Sequence, residues 1–335
     1  MGRIDTEAKR YMADNARFAD AFNYYLYGGK QMIDPYGLTA LDTTEIAVPY
    51  GDGNKVPVQK YRDLLKSWQV KTNGRVIYAL LGTELESEVN YAMPVKAALY
   101  DSMHYAKQVE SARKSLKEQK EPLNHGEFLS GFRKEDRLVP IVTLVLFLKD
   151  TEWDGPTHLR EMFDDTEAQL LSFVPDYRIN LLTPSSIPKE DFEKFRTDVG
   201  LLLEYIKNQK DKEKLDEIMH ENDRFRSVDS ETASLINTIT GSRLKFDIRE
   251  EKVDMCKAID DMRKESKEEG RTEGRLEGRA EGRMEGRLEG RLEGIESNRL
   301  ENIRNLMVSL KCTAQQAMAF LMIPDADQPK YLAKL

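Results

Sequence analysis

Asp63 and Glu84 are the acidic residues whose placement suggests chemistry, because the chain between them is built to fold back on itself. One extended run spans Pro57 to Trp68 and a second spans Arg75 to Glu84. Between them lies Asn73-Gly74, the strongest short-range signal for a two-residue hairpin turn. With that turn, residues whose numbers sum to 147 face each other, and Asp63 and Glu84 satisfy the condition. Directly opposed on one sheet face, their Cβ atoms would stand about 4.5–5.5 Å apart. Glu86, two residues beyond Glu84, stays on that face. Three converging carboxylates repel one another, and a divalent cation removes the repulsion; an all-oxygen set suits magnesium or manganese. The same pattern also fits a solvated hairpin edge. Against that stands the setting of Glu84, which closes the apolar run Val76 to Leu81 through Gly82-Thr83 rather than an alternating polar strand.

Other elements must hold this hairpin. Residues 6 to 27 carry Phe18, Phe22, Tyr25 and Leu26 at helical spacing, and Gly28-Gly29 stops the helix. Residues 30 to 55 are rich in turn formers and read as an ordered loop. A helix is expected over 92 to 118. Residues 137 to 148 form a nearly continuous apolar, β-branched run, the mark of a strand buried on both faces. Tyr177 to Leu182 reads as a short last strand, followed by helical patterns at Phe192 to Lys207, Lys212 to Asn222 and Glu231 to Thr240. Strands giving way to helices point to an α/β or α+β core over about 1–190 and a helical extension over 191–265.

Residues 266–298 differ in kind. Glu-Gly recurs every four residues from Glu269 to Gly294, with arginine after six of the seven copies. A four-residue period is close to a helical turn, but each glycine costs about 0.8–1.0 kcal/mol against alanine, and like charges stack at i,i+4. The segment is therefore either a marginal helix or a tether, or else a self-association stripe whose glycines admit a second copy. A short helical tail is expected over 299–335.

Composition narrows the classes further. The 335 residues are 40% hydrophobic and 33% charged, with a net charge of −8, so any positive field must be local to one groove. Cys256 and Cys312 lie far apart without CxxC spacing, and the four histidines form no HxxxH pair, which excludes a cysteine zinc site. The N-terminus is charged and has no signal-peptide core, and the longest apolar stretch, Ile141 to Leu148, is too short for a bilayer of about 30 Å. The expectation is a cytoplasmic protein with no membrane partner.

The ordered series Phe18-Ala19-Asp20-Ala21-Phe22-Asn23, Tyr61-Arg62-Asp63, Glu84-Leu85-Glu86-Ser87, Tyr91-Ala92-Met93-Pro94-Val95-Lys96, Tyr100-Asp101-Ser102-Met103-His104-Tyr105, Pro140-Ile141-Val142-Thr143 and Trp153-Asp154-Gly155-Pro156, with the Glu-Gly-Arg repeats, resembles the recombination-promoting nuclease family of the PD-(D/E)XK superfamily over roughly residues 14 to 300. The resemblance implies a restriction-endonuclease-like core, a mixed central sheet flanked by helices. It also implies DNA as partner, with recombination or transposase-like activity. Asp63 and Glu84 would bind Mg²⁺ or Mn²⁺, with the Leu85 carbonyl in the inner shell and Asp20 as a further ligand or water-orienting acid. The cation would activate water and polarise the scissile phosphate.

One departure matters: Glu86 stands where the pattern has lysine. Lys96, early in the next helix, could supply the missing amine, or be a surface residue. Tyr105 and Gln108 share a helix face and could reach a phosphate, or simply edge the core. Lys107, Arg113, Lys114, Lys117 and Lys120 could track a DNA backbone, although with Glu110 and Glu118 among them they also read as a solvated face. Glu86 supports a second reading, a catalytically weakened DNA-binding or self-assembling module.

Overall fold

A computed structural model of the chain describes residues 3–47, 58–72, 75–119, 122–164 and 168–335. In chain order the elements begin with helices α1 (Arg3–Met12) and α2 (Asn15–Tyr27). Strands β1 (Leu38–Ala40), β2 (Thr44–Ala47), β3 (Val58–Tyr61), β4 (Leu64–Thr72) and β5 (Arg75–Glu86) follow. Next come α3 (Met93–Gln119), α4 (His125–Ser130), β6 (Ile141–Phe147), α5 (Ala168–Leu171) and β7 (Asn180–Leu182). The helices α6 (Val199–Asn208), α7 (Lys212–Glu221) and α8 (Ser230–Thr240) are accompanied by a small pair, β8 (Val228–Asp229) with β9 (Lys252–Val253). The chain closes with α9 (Met255–Leu310), α10 (Ala314–Phe320) and α11 (Gln328–Leu332).

The central sheet has five strands in the order β1-β4-β5-β6-β7. β4 and β5 are antiparallel, whereas β6 and β7 run parallel to β5, so this is a mixed α/β arrangement. The β4–β5 register runs from Leu64 opposite Thr83 to Thr72 opposite Arg75, so paired numbers sum to 147 as the two-residue connection demands. Asn73-Gly74 itself lies outside the described residues.

Pleat alternation divides the side chains between two layers. On one face Leu64, Trp68, Leu81, Leu85, Leu144 and Leu146 join a large core with α1, α2, α6, α7, α8 and the start of α9. On the other, Leu65, Leu80 and Ile141 meet Tyr105, while Val145 packs with Met93 and Ala97 of α3. Gly82, Glu84 and Glu86 alternate with Leu81 and Leu85, which turns them toward α3.

Two differences from the sequence reading have physical causes. The single helix expected over 6 to 27 is two helices. Asp14 caps the second by accepting from the amides of Ala16 and Arg17. The buried Lys66 ammonium binds the Ala13 carbonyl at 2.6 Å and Asn15 Oδ1 at 2.7 Å, fixing the corner. Gly28 takes the left-handed conformation (φ 61°) that ends α2.

The division of the chain also differs. Residues 191–262 are not a separate extension, because Phe192, Phe195, Leu202, Ile206, Ile236 and Ile259 complete the core begun by Phe18 and Phe22. The compact units are Met1–Met262 and Arg263–Leu335. In the second unit Ile303 packs with Ala317, Met318, Ile323 and Tyr331. The Glu-Gly-Arg segment is helical, part of α9; Leu276, Met284, Leu288 and Leu292 along it are exposed, and a Cβ added at any glycine from Gly270 to Gly294 would meet nothing within 4 Å among the described residues. Among the described residues no helix is long and apolar enough to cross a membrane.

Candidate metal centre

The β4–β5 register carries Asp63 and Glu84 to the end of the hairpin, where a regular ladder would oppose them. Both are buried, Asp63 at 8% and Glu84 at 1% relative exposure. Asp63 Oδ2 accepts from the Leu85 amide at 3.0 Å, which ties the two strands together at this point. Glu84 Oε2 meets Lys96 Nζ at 2.9 Å, and Glu86 Oε1 meets the same ammonium at 2.7 Å. Glu84 Oε1 is buried and has no hydrogen-bond partner among the described residues. The solvated-edge alternative does not describe Glu84: it is enclosed.

Enclosure dominates its ionisation. Burial raises the Glu84 carboxyl from 4.5 to about 7, with Asp63 adding to the rise while Lys96 and Arg62 oppose it. For Lys96 burial acts downward, but Glu84 and Glu86 outweigh it, and the ammonium is held charged well above its ordinary range. Burial, then the negative charge of Glu84, raises the nearby Tyr100 hydroxyl.

Beneath the carboxylates lies a buried polar network. Arg62 is wholly buried; its Nη2 donates to Asp101 Oδ1 at 2.8 Å and its Nη1 to Thr143 Oγ1. Thr143 Oγ1 donates to the same Asp101 oxygen at 2.8 Å, and Tyr177 Oη donates to Asp101 Oδ2. Arg62, Asp101 and Thr143 belong to segments that carried the family resemblance, but sequence reasoning gave them no role. The available signal was an arginine beside a candidate ligand and an aspartate at mid-helix, both amid apolar neighbours.

The remaining candidates divide. Lys96 joins Glu84 and Glu86. Asp20 does not join them: its Oδ1 accepts from the Arg196 amide at 3.0 Å, and its Oδ2 from the Thr197 amide at 2.8 Å and the Thr197 hydroxyl at 2.7 Å. Asp20→Ala is accordingly expected to cost about 1–3 kcal/mol in a thermal melt, from orphaned amides, while leaving Mn²⁺ affinity unchanged. A lost Mn²⁺ site in a folded variant would return Asp20 to the metal.

Tyr105 and Gln108 share a face of α3, as their spacing requires, and are engaged with the sheet. Tyr105 Oη accepts from the Ile141 amide at 3.2 Å, and Gln108 brackets Val139, accepting from its amide at 2.7 Å and donating to its carbonyl at 3.0 Å. They secure the entry of β6. Lys107, Arg113, Lys114 and Lys117 are exposed on α3, and Lys120 lies outside the described residues. Lys107 borders an open groove of about 360 Å³ with His104, Phe132 and Arg137.

Among the described residues, no group of three or more His, Cys, Asp or Glu side chains is gathered so as to hold a metal ion. Asp63 and Glu84 nevertheless act on each other electrostatically, and one Glu84 oxygen is buried without a hydrogen-bond partner among the described residues; carboxylate oxygens are the donor type a hard divalent cation takes. Comparison of the chain with family models, with curated proteins and with solved structures gives no match.

Proposed function

We propose that this chain is a metal-dependent DNA endonuclease of the PD-(D/E)XK kind. The observation that carries this reading is Glu84, buried beside Asp63 with one carboxylate oxygen unpartnered among the described residues. Lys96 pairs only the other oxygen, so this one is left desolvated and unpaired, a cost that a bound cation would remove. The local charge agrees in sign: Asp63, Glu84, Glu86 and Asp101 set four carboxylates against two cations, Lys96 and Arg62, an excess of two that one divalent ion matches.

In this reading Asp63 and Glu84 hold Mg²⁺ or Mn²⁺, which supplies an activated water and charge stabilisation at the scissile phosphate. Lys96 brings an ammonium to Glu86, the position where the superfamily pattern has lysine, and its pairing keeps it charged and able to face the phosphate. Leu85 contributes backbone: its amide holds Asp63 in place, and its carbonyl would be the inner-shell ligand that the family resemblance assigns it. Arg113, Lys114 and Lys117 offer exposed positive charge to a nucleic-acid backbone. A link to recombination rests on the sequence resemblance.

The test is nicking of supercoiled plasmid by the purified chain. Cleavage is expected with Mg²⁺ or Mn²⁺ and should stop with EDTA. Cleavage that persists in EDTA would sink the metal-dependent reading. Plasmid binding without cleavage under any metal would favour a second reading, the DNA-binding or self-assembling module, whose motivating observation is the exposed apolar series Leu276, Met284, Leu288 and Leu292 along α9.

A further inference from the structure

We infer that Arg62 is the positioning residue of the carboxylate pair, seated in a notch that Gly82 leaves in the sheet. The inference rests on the metal-site reading above and deepens it. Gly82 pairs with Leu65 of β4 on one side and with Thr143 of β6 on the other, at the centre of the three longest strands and one pleat before Glu84 on the same face. Glycine inside a strand is unfavourable, since it packs nothing and loses more backbone freedom than any other residue. Here the backbone does not ask for it: Gly82 is not among the positive-φ glycines. What asks for it is the guanidinium. A Cβ at residue 82 would overlap Arg62 Nη1 and lie 3.0 Å from Cδ and 3.2 Å from Cζ.

The guanidinium so admitted is fixed from several sides. Asp101 and Thr143 take its two terminal nitrogens, Tyr177 and Thr143 complete the Asp101 carboxylate, and the Tyr100 ring lies 5.4 Å from Cζ. The Arg62 amide also donates to the Thr43 carbonyl at 3.1 Å. A buried ion pair is a poor source of net stability, because a packed apolar replacement is often as good. Its effect lies next door. Immobilising Arg62 immobilises Asp63, the following residue, opposite Glu84. It also holds a positive charge on the sheet face where the two carboxylates meet, opposing their repulsion.

Mn²⁺ binding to the full chain without nucleic acid, followed by the loss of the free-ion electron paramagnetic resonance signal, tests this. Wild type should bind, and Asp63→Asn and Glu84→Gln should not. Gly82→Ala, which leaves every charge in place, should bind about tenfold more weakly or worse, the range typical of groups that orient ligands, with an unchanged circular dichroism spectrum. Thr143→Val, which removes the Nη1 acceptor with little change of shape, should also bind more weakly than wild type, by less than Gly82→Ala does. Arg62→Lys alone should weaken binding, yet Arg62→Lys added to Gly82→Ala should recover part of the loss, because the unforked ammonium clears the new methyl. That reversal of sign marks direct steric coupling and is not produced by general loosening of the sheet.

If Gly82→Ala and Thr143→Val both fold and bind like wild type, or if Arg62→Lys rescues nothing, Arg62 does not position the pair while the metal site itself stands. Should Gly82→Ala fail to fold, Thr143→Val decides between the same two outcomes. If Asp63→Asn and Glu84→Gln bind as wild type does, or wild type does not bind, the metal-site reading falls and this inference with it.

Discussion

Asp63→Asn is expected to lower the rate of metal-dependent plasmid nicking by about a thousandfold or more while leaving the fold in place. Asparagine keeps an oxygen where Asp63 Oδ2 accepts from the Leu85 amide, so the strand connection at the site survives. Alanine would not be equivalent, since it orphans that buried amide at a cost of about 1–3 kcal/mol. What asparagine removes is the negative charge. A bound cation contributes several kcal/mol of transition-state stabilisation, and each 1.36 kcal/mol is tenfold in rate; losing one of two anionic ligands therefore reaches about three orders of magnitude. Single-turnover nicking at saturating Mg²⁺, beside a thermal melt, measures it. A folded Asp63→Asn protein that nicks within about tenfold of wild type would remove Asp63 from the metal site.

Glu84→Gln should make the metal-free protein more stable at alkaline pH and less active at every pH. Glu84 titrates at about 7 in the fold against an ordinary 4.5, chiefly because burial penalises its charge. A raised carboxyl favours folding below about pH 4.5, where it is protonated in both states. That advantage fades as pH rises toward 7, and above pH 7 the folded chain carries the whole penalty. The shift corresponds to roughly 3 kcal/mol, of which on the order of 1–3 kcal/mol should reappear as added stability in the glutamine variant at pH 8. At pH 4.5 the two proteins should melt nearly together. Mn²⁺ should then raise the melting temperature of wild type alone, because only the form that binds the ion gains from it. Melts in EDTA at pH 4.5 and 8 check the sign; a wild type more stable than Glu84→Gln at pH 8 would mean that the Lys96 pair more than offsets the cost of burying the Glu84 charge.

Much of the site's frame was legible because it is local. Asn73-Gly74 implied a register, and the β4–β5 ladder keeps that register along its length. The apolar run of β6 announced its burial, and Gly28 announced the end of α2. What stayed hidden depends on partners distant in sequence. Asp20 is taken by the amides of Arg196 and Thr197, on a loop no local pattern connects to it. The division at Met262 was invisible because an amphipathic helix shows that it needs a core, not which core. Arg62 was passed over for the same reason: the notch that receives it belongs to another strand and its counter-ion to a helix.

The mixed sheet also sets an order of assembly. Asp63, Gly82, Glu84, Glu86 and Lys96 all lie between residues 62 and 101, and β4 meets β5 across a two-residue connection. The parallel pairing of Leu80 with Ile141 closes the whole crossover through α3 and α4, and Thr143 and Tyr177 arrive from farther still. Short closures cost least entropy and form first. During folding the acidic pair is thus brought together while water still surrounds it, and the expense of drying it falls on the later docking of β6 and β7. Conditions that weaken carboxylate repulsion, a divalent ion among them, would act on that late step and leave the early hairpin untouched.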